Sequence, residues 1–196
     1  MTKLHSKVSG RKKNRFQKAS KKASGIEVHS HNGHDFEAEV GKRKSTGGFD
    51  RKTFFEAYGG RCPSLFECVE HVRQNQPEGW DSKNPPTEIG MTFLLWTKRH
   101  FAKIVDKKSH EVGLHLYSAT DLPIDYLFGV DFLVYLDDPV IVGGEHNPPF
   151  VTIDLTMRSS KPHFKADFLL CKWQVLRKGE MQELAKKVAL RLHSRI

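Results

Sequence analysis

Acidic residues are missing from the first 25 positions of this 196-residue chain. That stretch instead holds Lys3, Lys7, Arg11, Lys12, Lys13, Arg15, Lys18, Lys21 and Lys22. The formal net charge is +9, and the 32 Lys and Arg less these nine equal the 23 acids, so residues 26–196 are formally neutral. The positive charge therefore belongs to an arm and not to the body. Such a segment buries too little surface to offset chain entropy, and reads as disordered in isolation. One-sided charge of this kind suits a polyanion, nucleic acid first and a membrane surface second. The arm also lacks the apolar face of an organelle-targeting peptide, which argues against that role.

Cysteine is scarce as well. Cys62, Cys68 and Cys171 are odd in number and widely spaced, which is no disulfide framework and points to a reducing, cytoplasmic compartment. No apolar run approaches the roughly 18 to 20 residues of a membrane span, and the N-terminus has no signal-peptide core. With 38% hydrophobic residues the chain still has enough apolar material for a real core, as one domain of ordinary size plus tails.

The organisation follows from these shifts: a basic arm over 1–25, a hairpin or linker over 26–48, and the principal domain over 49–196. In the linker, IEVHS and FEAEV flank Asn32–Gly33, a hairpin signal. His29, His31 and His34 lie close together there, but no nearby cysteine completes a zinc pattern, so they read as polar hairpin positions. Residues 49–76 show helical spacing (Phe49, Phe54, Phe55, Tyr58, Leu65, Phe66, Val69, Val72), broken at Gly59–Gly60, with Pro63 placed to open the second helix. The turn-forming residues 77–86 connect to the strongest helix, 87–107, with Thr87 as its N-cap and Met91, Leu94, Leu95, Trp96, Phe101, Ile104 and Val105 on its apolar face. Residues 111–118 read as a strand or a helix end, and 119–128 as a loop, with Asp121 and Asp125 as turn residues. Strands are expected at 129–136, 150–156 and 166–175, and an amphipathic helix at 179–193, with Met181, Leu184, Ala185, Val188 and Leu192 on one side.

Two of these strands conflict with their own pattern. GVDFLVYL carries Asp131 and FVTIDLT carries Asp154, each a carboxylate inside an apolar, β-prone run. Conflicts of this kind mark functional or strained sites. Strand alternation puts Asp154 and Thr156 on one face and Ile153 and Leu155 on the other. Carboxylates converging from adjacent strands suit a hard divalent cation, which takes oxygen ligands, polarises a phosphoryl oxygen and lowers the pKa of a bound water. A nearby Lys or Arg would then stabilise developing charge. Asp137 and Asp138 read as plain turn acids, and His163 as a surface loop residue.

The residues G-V-D-F at 129–132 and V-T-I-D-L-T at 151–156, in this order of helix and strands, resemble the PD-(D/E)xK nuclease superfamily over roughly residues 87–175. The resemblance implies a restriction-endonuclease-like α/β (α+β) fold, a central mixed β-sheet flanked by helices. It implies a Mg²⁺- or Mn²⁺-dependent endonuclease acting on DNA. Glu88 stands where many members carry an acid on the first core helix, Asp131 matches the acid of the first motif, and Asp154 that of the second. The main-chain carbonyl of Leu155 would be a further metal ligand. Thr156 occupies the motif's lysine position, so the basic group comes from Lys161 or Lys165, or from Arg158, which continues the alternation and would line the groove. Two other readings stand beside the nuclease: a non-catalytic nucleic-acid-binding or assembly subunit of the same fold, and an RNA- or ribosome-associated basic protein. A homodimer or a larger nucleoprotein assembly is compatible with each.

Overall fold

The computed structural model describes residues 40, 50–137, 149–157, 163, 165–175 and 177–196. The basic arm, the expected hairpin with its histidines, Asp138, Arg158 and Lys161 lie outside the described residues.

Among the described residues, two short helices precede the long one. α1 (Arg51–Ala57) is capped by Asp50, whose carboxylate accepts the N–H groups of Lys52 and Thr53. α2 (Leu65–Gln74) opens on a capping box in which Ser64 and Glu67 satisfy each other's main-chain N–H. Between them, Gly59 and Gly60 both have positive φ, so the break falls where glycine is needed. Pro63 does not open α2, as its position suggested. It precedes the Ser64 cap, because the capping box fixes the first turn one residue later.

α3 (Glu88–Ile104) begins at Thr87, as expected. The Thr87 hydroxyl accepts from Gly90 N–H at 3.1 Å and donates to the Val40 carbonyl at 2.7 Å. It thus caps the helix and anchors residue 40 to it. A Cβ on Gly90 would sit 2.8 Å from that hydroxyl oxygen, so the close approach depends on glycine. Leu95 is a correction to the expected apolar face: it is exposed, and Ile89, Phe93, Thr97 and Ala102 are buried instead. α3 ends at Ile104, and Asp106 adopts a left-handed conformation just after it.

Among the described residues four strands follow: β1 (Leu114–Ser118), β2 (Phe132–Leu136), β3 (Phe150–Thr156) and β4 (Phe168–Cys171). They form one sheet in the order β1-β2-β3-β4. β1–β2 and β2–β3 are antiparallel, whereas β3–β4 is parallel. The protein is therefore mixed α/β, with a mixed sheet and flanking helices. Residues 119–128 are not all loop, because α4 (Pro123–Phe128) forms there, with Pro at its start and Gly129 in the left-handed conformation as its C-cap. The expected strand over 166–175 is also shorter. After Cys171 the chain turns into α5 (Lys172–Val175), and the Gln174 side chain accepts the Cys171 N–H at 2.8 Å. α6 (Lys178–His193) closes the chain and buries the five apolar residues expected of it.

Alternation along the strands divides the interior in two. Leu114, Leu116, Phe132, Val134, Val151, Ile153, Leu155 and Leu170 pack with α3 and α6. Tyr117, Leu133 and Tyr135 pack on the other face with Cys68, Val69 and Val72 of α2 and with Ile124 of α4. Full burial of a side chain such as Ile153 stabilises by about 1.5–3 kcal/mol. This burial fixes the strand register, because a one-residue slip would turn Ile153 and Leu155 out of their core and Asp154 into it. No helix among the described residues is long and apolar enough to cross a membrane.

Candidate functional site: paired carboxylates at a sheet end

Asp131 immediately precedes β2, and Asp154 sits within β3. Both are buried, with 5% and 3% of their surface exposed. The antiparallel register pairs Phe132 with Ile153, so the next step outward brings Asp131 level with Asp154. The regular ladder gives way here. Asp131 N–H donates to the Ile153 carbonyl at 2.9 Å, and the Asp131 carboxylate accepts the Leu155 N–H at 2.6 Å. The carboxylate thus lies against the peptide that joins Asp154 to Leu155. On the other side, Ala119 N–H donates to the Asp131 carbonyl at 2.7 Å. The next residue, Thr120, is fully buried, and its hydroxyl has no hydrogen-bond partner among the described residues. A buried hydroxyl without a partner costs free energy unless a water or an ion satisfies it.

The sequence placed Glu88 with this pair. It begins α3 and is exposed. α3 packs with Ile153, on the face opposite the one that Asp154 addresses. Among the described residues, no three or more His, Cys, Asp or Glu are placed to hold a metal ion. The Asp131 carboxylate meets the peptide that follows Asp154, and Glu88 forms no metal-holding group with the two aspartates among the described residues. Leu155 joins the pair through its N–H, with its side chain in the α3/α6 core. Thr156 is at the end of β3 and partly exposed.

Lys165 is exposed and lies beside the pair's face, not within the pair. Its Nζ donates to the Leu127 carbonyl at the end of α4, at 3.3 Å. It also lines a pocket of about 280 Å³ with Leu65, Pro149, Phe150, Thr152, Asp167 and Arg195. Asp167 is the anchor of that pocket. It accepts from the Thr152 N–H and hydroxyl, both at 2.9 Å, and from Arg195 Nη2 at 2.5 Å. Burial pushes its carboxyl up, but the Thr152 bonds and Arg195 outweigh this and hold it below the usual carboxylate range. Arg195 was not singled out by sequence. It sits 28 residues from Asp167, and a pairing over that distance leaves no local pattern. His163 is exposed, as expected.

A second polar series lies at the outer strand. The Ser82 hydroxyl meets His115 Nδ1 at 2.8 Å, and His115 Nε2 meets the Asp137 carboxylate. Asp137 is therefore more than a turn acid. It fixes a buried imidazole and sets the tautomer that accepts from Ser82. Ser82 also accepts the Leu116 N–H through its carbonyl, and the Trp80 indole donates to the Leu116 carbonyl. The series clips residues 80–82 along β1. Asp125 is likewise a local structural residue, its carboxylate accepting the Asp121 N–H at 3.0 Å.

No family model matches the chain, and comparisons with curated proteins and with solved structures return no match.

Proposed function

We propose that this protein is a divalent-metal-dependent endonuclease that hydrolyses phosphodiester bonds in DNA, on a restriction-endonuclease-like core, with the basic arm gripping the backbone. One observation supports the reading: two buried aspartates, Asp131 and Asp154, stand level on adjacent strands, with the Asp131 carboxylate on the N–H of the residue after Asp154. Oxygen donors of this kind, two carboxylates and the main-chain carbonyl that the resemblance assigns to Leu155, suit Mg²⁺ or Mn²⁺. When bound, such an ion polarises a phosphoryl oxygen and activates a water. The chain's own contribution is to hold the two carboxylates in place, Asp131 through the Leu155 N–H. Lys161 and Arg158 remain the candidate basic groups for the face of Asp154. Lys7, Arg11, Lys12, Lys13, Arg15, Lys18, Lys21 and Lys22 supply a salt-sensitive grip on phosphates. The test is cleavage of plasmid and branched DNA with Mg²⁺ and Mn²⁺, wild type beside Asp154→Asn. Unchanged cleavage by the variant would remove the assignment.

Thr156 at the lysine position favours a second reading, a nucleic-acid-binding or assembly subunit without catalysis. It expects no cleavage with any divalent ion, together with DNA affinity that falls with salt and with neutralisation of residues 1–25. Comparing RNA with DNA affinity under the same conditions separates both readings from an RNA-associated role.

A further inference from the structure

Two cationic side chains, Lys165 and Arg195, line the pocket with Asp167. Arg195 pairs with both oxygens of Asp167, at 2.5 and 3.2 Å, and Arg191 Nε lies 3.6 Å from one of them. Arg195 Nη1 also donates to the Phe150 carbonyl. A guanidinium has five N–H donors, and these bonds to Asp167 and Phe150 occupy only three of them. Lys165 has three donors, of which one is directed to Leu127. The Asp167 side chain is only 14% exposed and its oxygens are taken by Thr152 and Arg195, so it positions the guanidinium and offsets its charge. Lys165 therefore supplies the pocket's excess positive charge, beside a guanidinium held in place by Asp167, a donor pair that suits a phosphate.

Its position matters as much as its charge. Thr152 lines the pocket and shares a face of β3 with Asp154. Two residues of strand separate them by about 6–7 Å. Thr152 and the two aspartates are themselves buried, so the groups that a polyanionic chain can reach at this end are Lys165 and Arg195 at the pocket.

We propose that the pocket holds a backbone phosphate of duplex DNA, with Lys165 and Arg195 as its donors. This rests on the nucleic-acid half of the proposed function and not on its catalytic half. It also gives Lys165 a binding role in place of a catalytic one.

The test is fluorescence anisotropy of the full chain with labelled duplex DNA, in EDTA so that cleavage does not enter, over a series of salt concentrations. Lys165→Gln and Arg195→Gln are each expected to weaken binding several-fold and to lower the slope of log K against log salt by about one. Lys186→Gln, an equal loss of charge at an exposed position on α6, is expected to change both less. Arg195→Gln also strips Asp167 of its partner, so thermal melting accompanies it. If that variant does not fold, Lys165→Gln decides. Lys165→Gln indistinguishable from Lys186→Gln overturns the proposal. Absence of cleavage in Mg²⁺ with binding still sensitive to Lys165 sinks the enzyme and supports the pocket. A full chain that does not bind DNA overturns both.

Discussion

The carboxylate of Asp131 accepts the main-chain N–H of Leu155 at 2.6 Å, so one side chain both closes the sheet and stands in the candidate site. The two roles separate by substitution. Asp131→Ala leaves a buried amide unpaired, at a cost of about 1–3 kcal/mol. Asp131→Asn keeps an oxygen acceptor and removes the charge. Urea denaturation is expected to show a clear loss for Ala and a smaller one for Asn, while both abolish cleavage. Equal destabilisation by the two would show that the acceptor is not what holds β2 to β3 at this end.

His115 predicts an acid-sensitive fold. Burial pushes its imidazole below the ordinary 6.5; Asp137 pulls it up without restoring it, and Lys83 and Lys98 push it down further. The folded state thus resists a proton that the unfolded chain accepts. Stability from this group is complete above about pH 6.5 and falls as pH drops below it. Melting temperature from pH 7.5 to 5 is expected to decline in the wild type (roughly the range in which histidine titrates) and to decline less in His115→Gln. Parallel curves would rule out His115 as the source.

Asp167 acts at lower pH. Its folded carboxyl is held below the ordinary 3.8, so its stabilisation is present above that value and is lost as pH falls through the folded one. Asp167→Asn is expected to lower stability at neutral pH and to flatten the acid limb below about pH 4. A wild-type acid limb that persists unchanged in Asp167→Asn would assign it to other carboxylates.

The thiols give an independent check on packing. Cys62 is exposed, whereas Cys68 and Cys171 are buried. Burial, with smaller contributions from Cys62 and Glu67, pushes the Cys68 thiol up to about 12. Thiolate is the reactive form, so Cys68 is inert in the fold. Ellman titration is expected to detect one fast thiol per native chain and three after denaturation. A second fast thiol in the native protein would show that Cys68 or Cys171 is not packed as described.

Much of this architecture was legible because long elements repeat their pattern. The apolar stripe of Lys178–His193, the Thr87 cap and the limits of Phe150–Thr156 were all readable from local residues. α4 was missed because a six-residue helix gives its periodicity little room, and Pro123 with two aspartates resembles a loop; Pro at its start and Gly129 at its end were the available signs. β4 stops early because Gln174 turns back to cap Cys171, which apolar content does not reveal. At the site, the conflict of Asp131 and Asp154 with their strands was visible in sequence. The links from His115 to Asp137 and from Asp167 to Arg195 join residues distant along the chain, and no local pattern encodes them.

Residues 80–82 have a consequence for solubility. β1 is an outer strand, and such strands offer unpaired N–H and C=O groups to any passing chain. At Leu116 both groups are already taken, by the Ser82 carbonyl and the Trp80 indole. An incoming strand finds no free rung at the middle of β1. The irregular segment thus works as a stopper against edge-to-edge growth of the sheet, and its loss would both open the core that Trp80 fills and expose a template for aggregation.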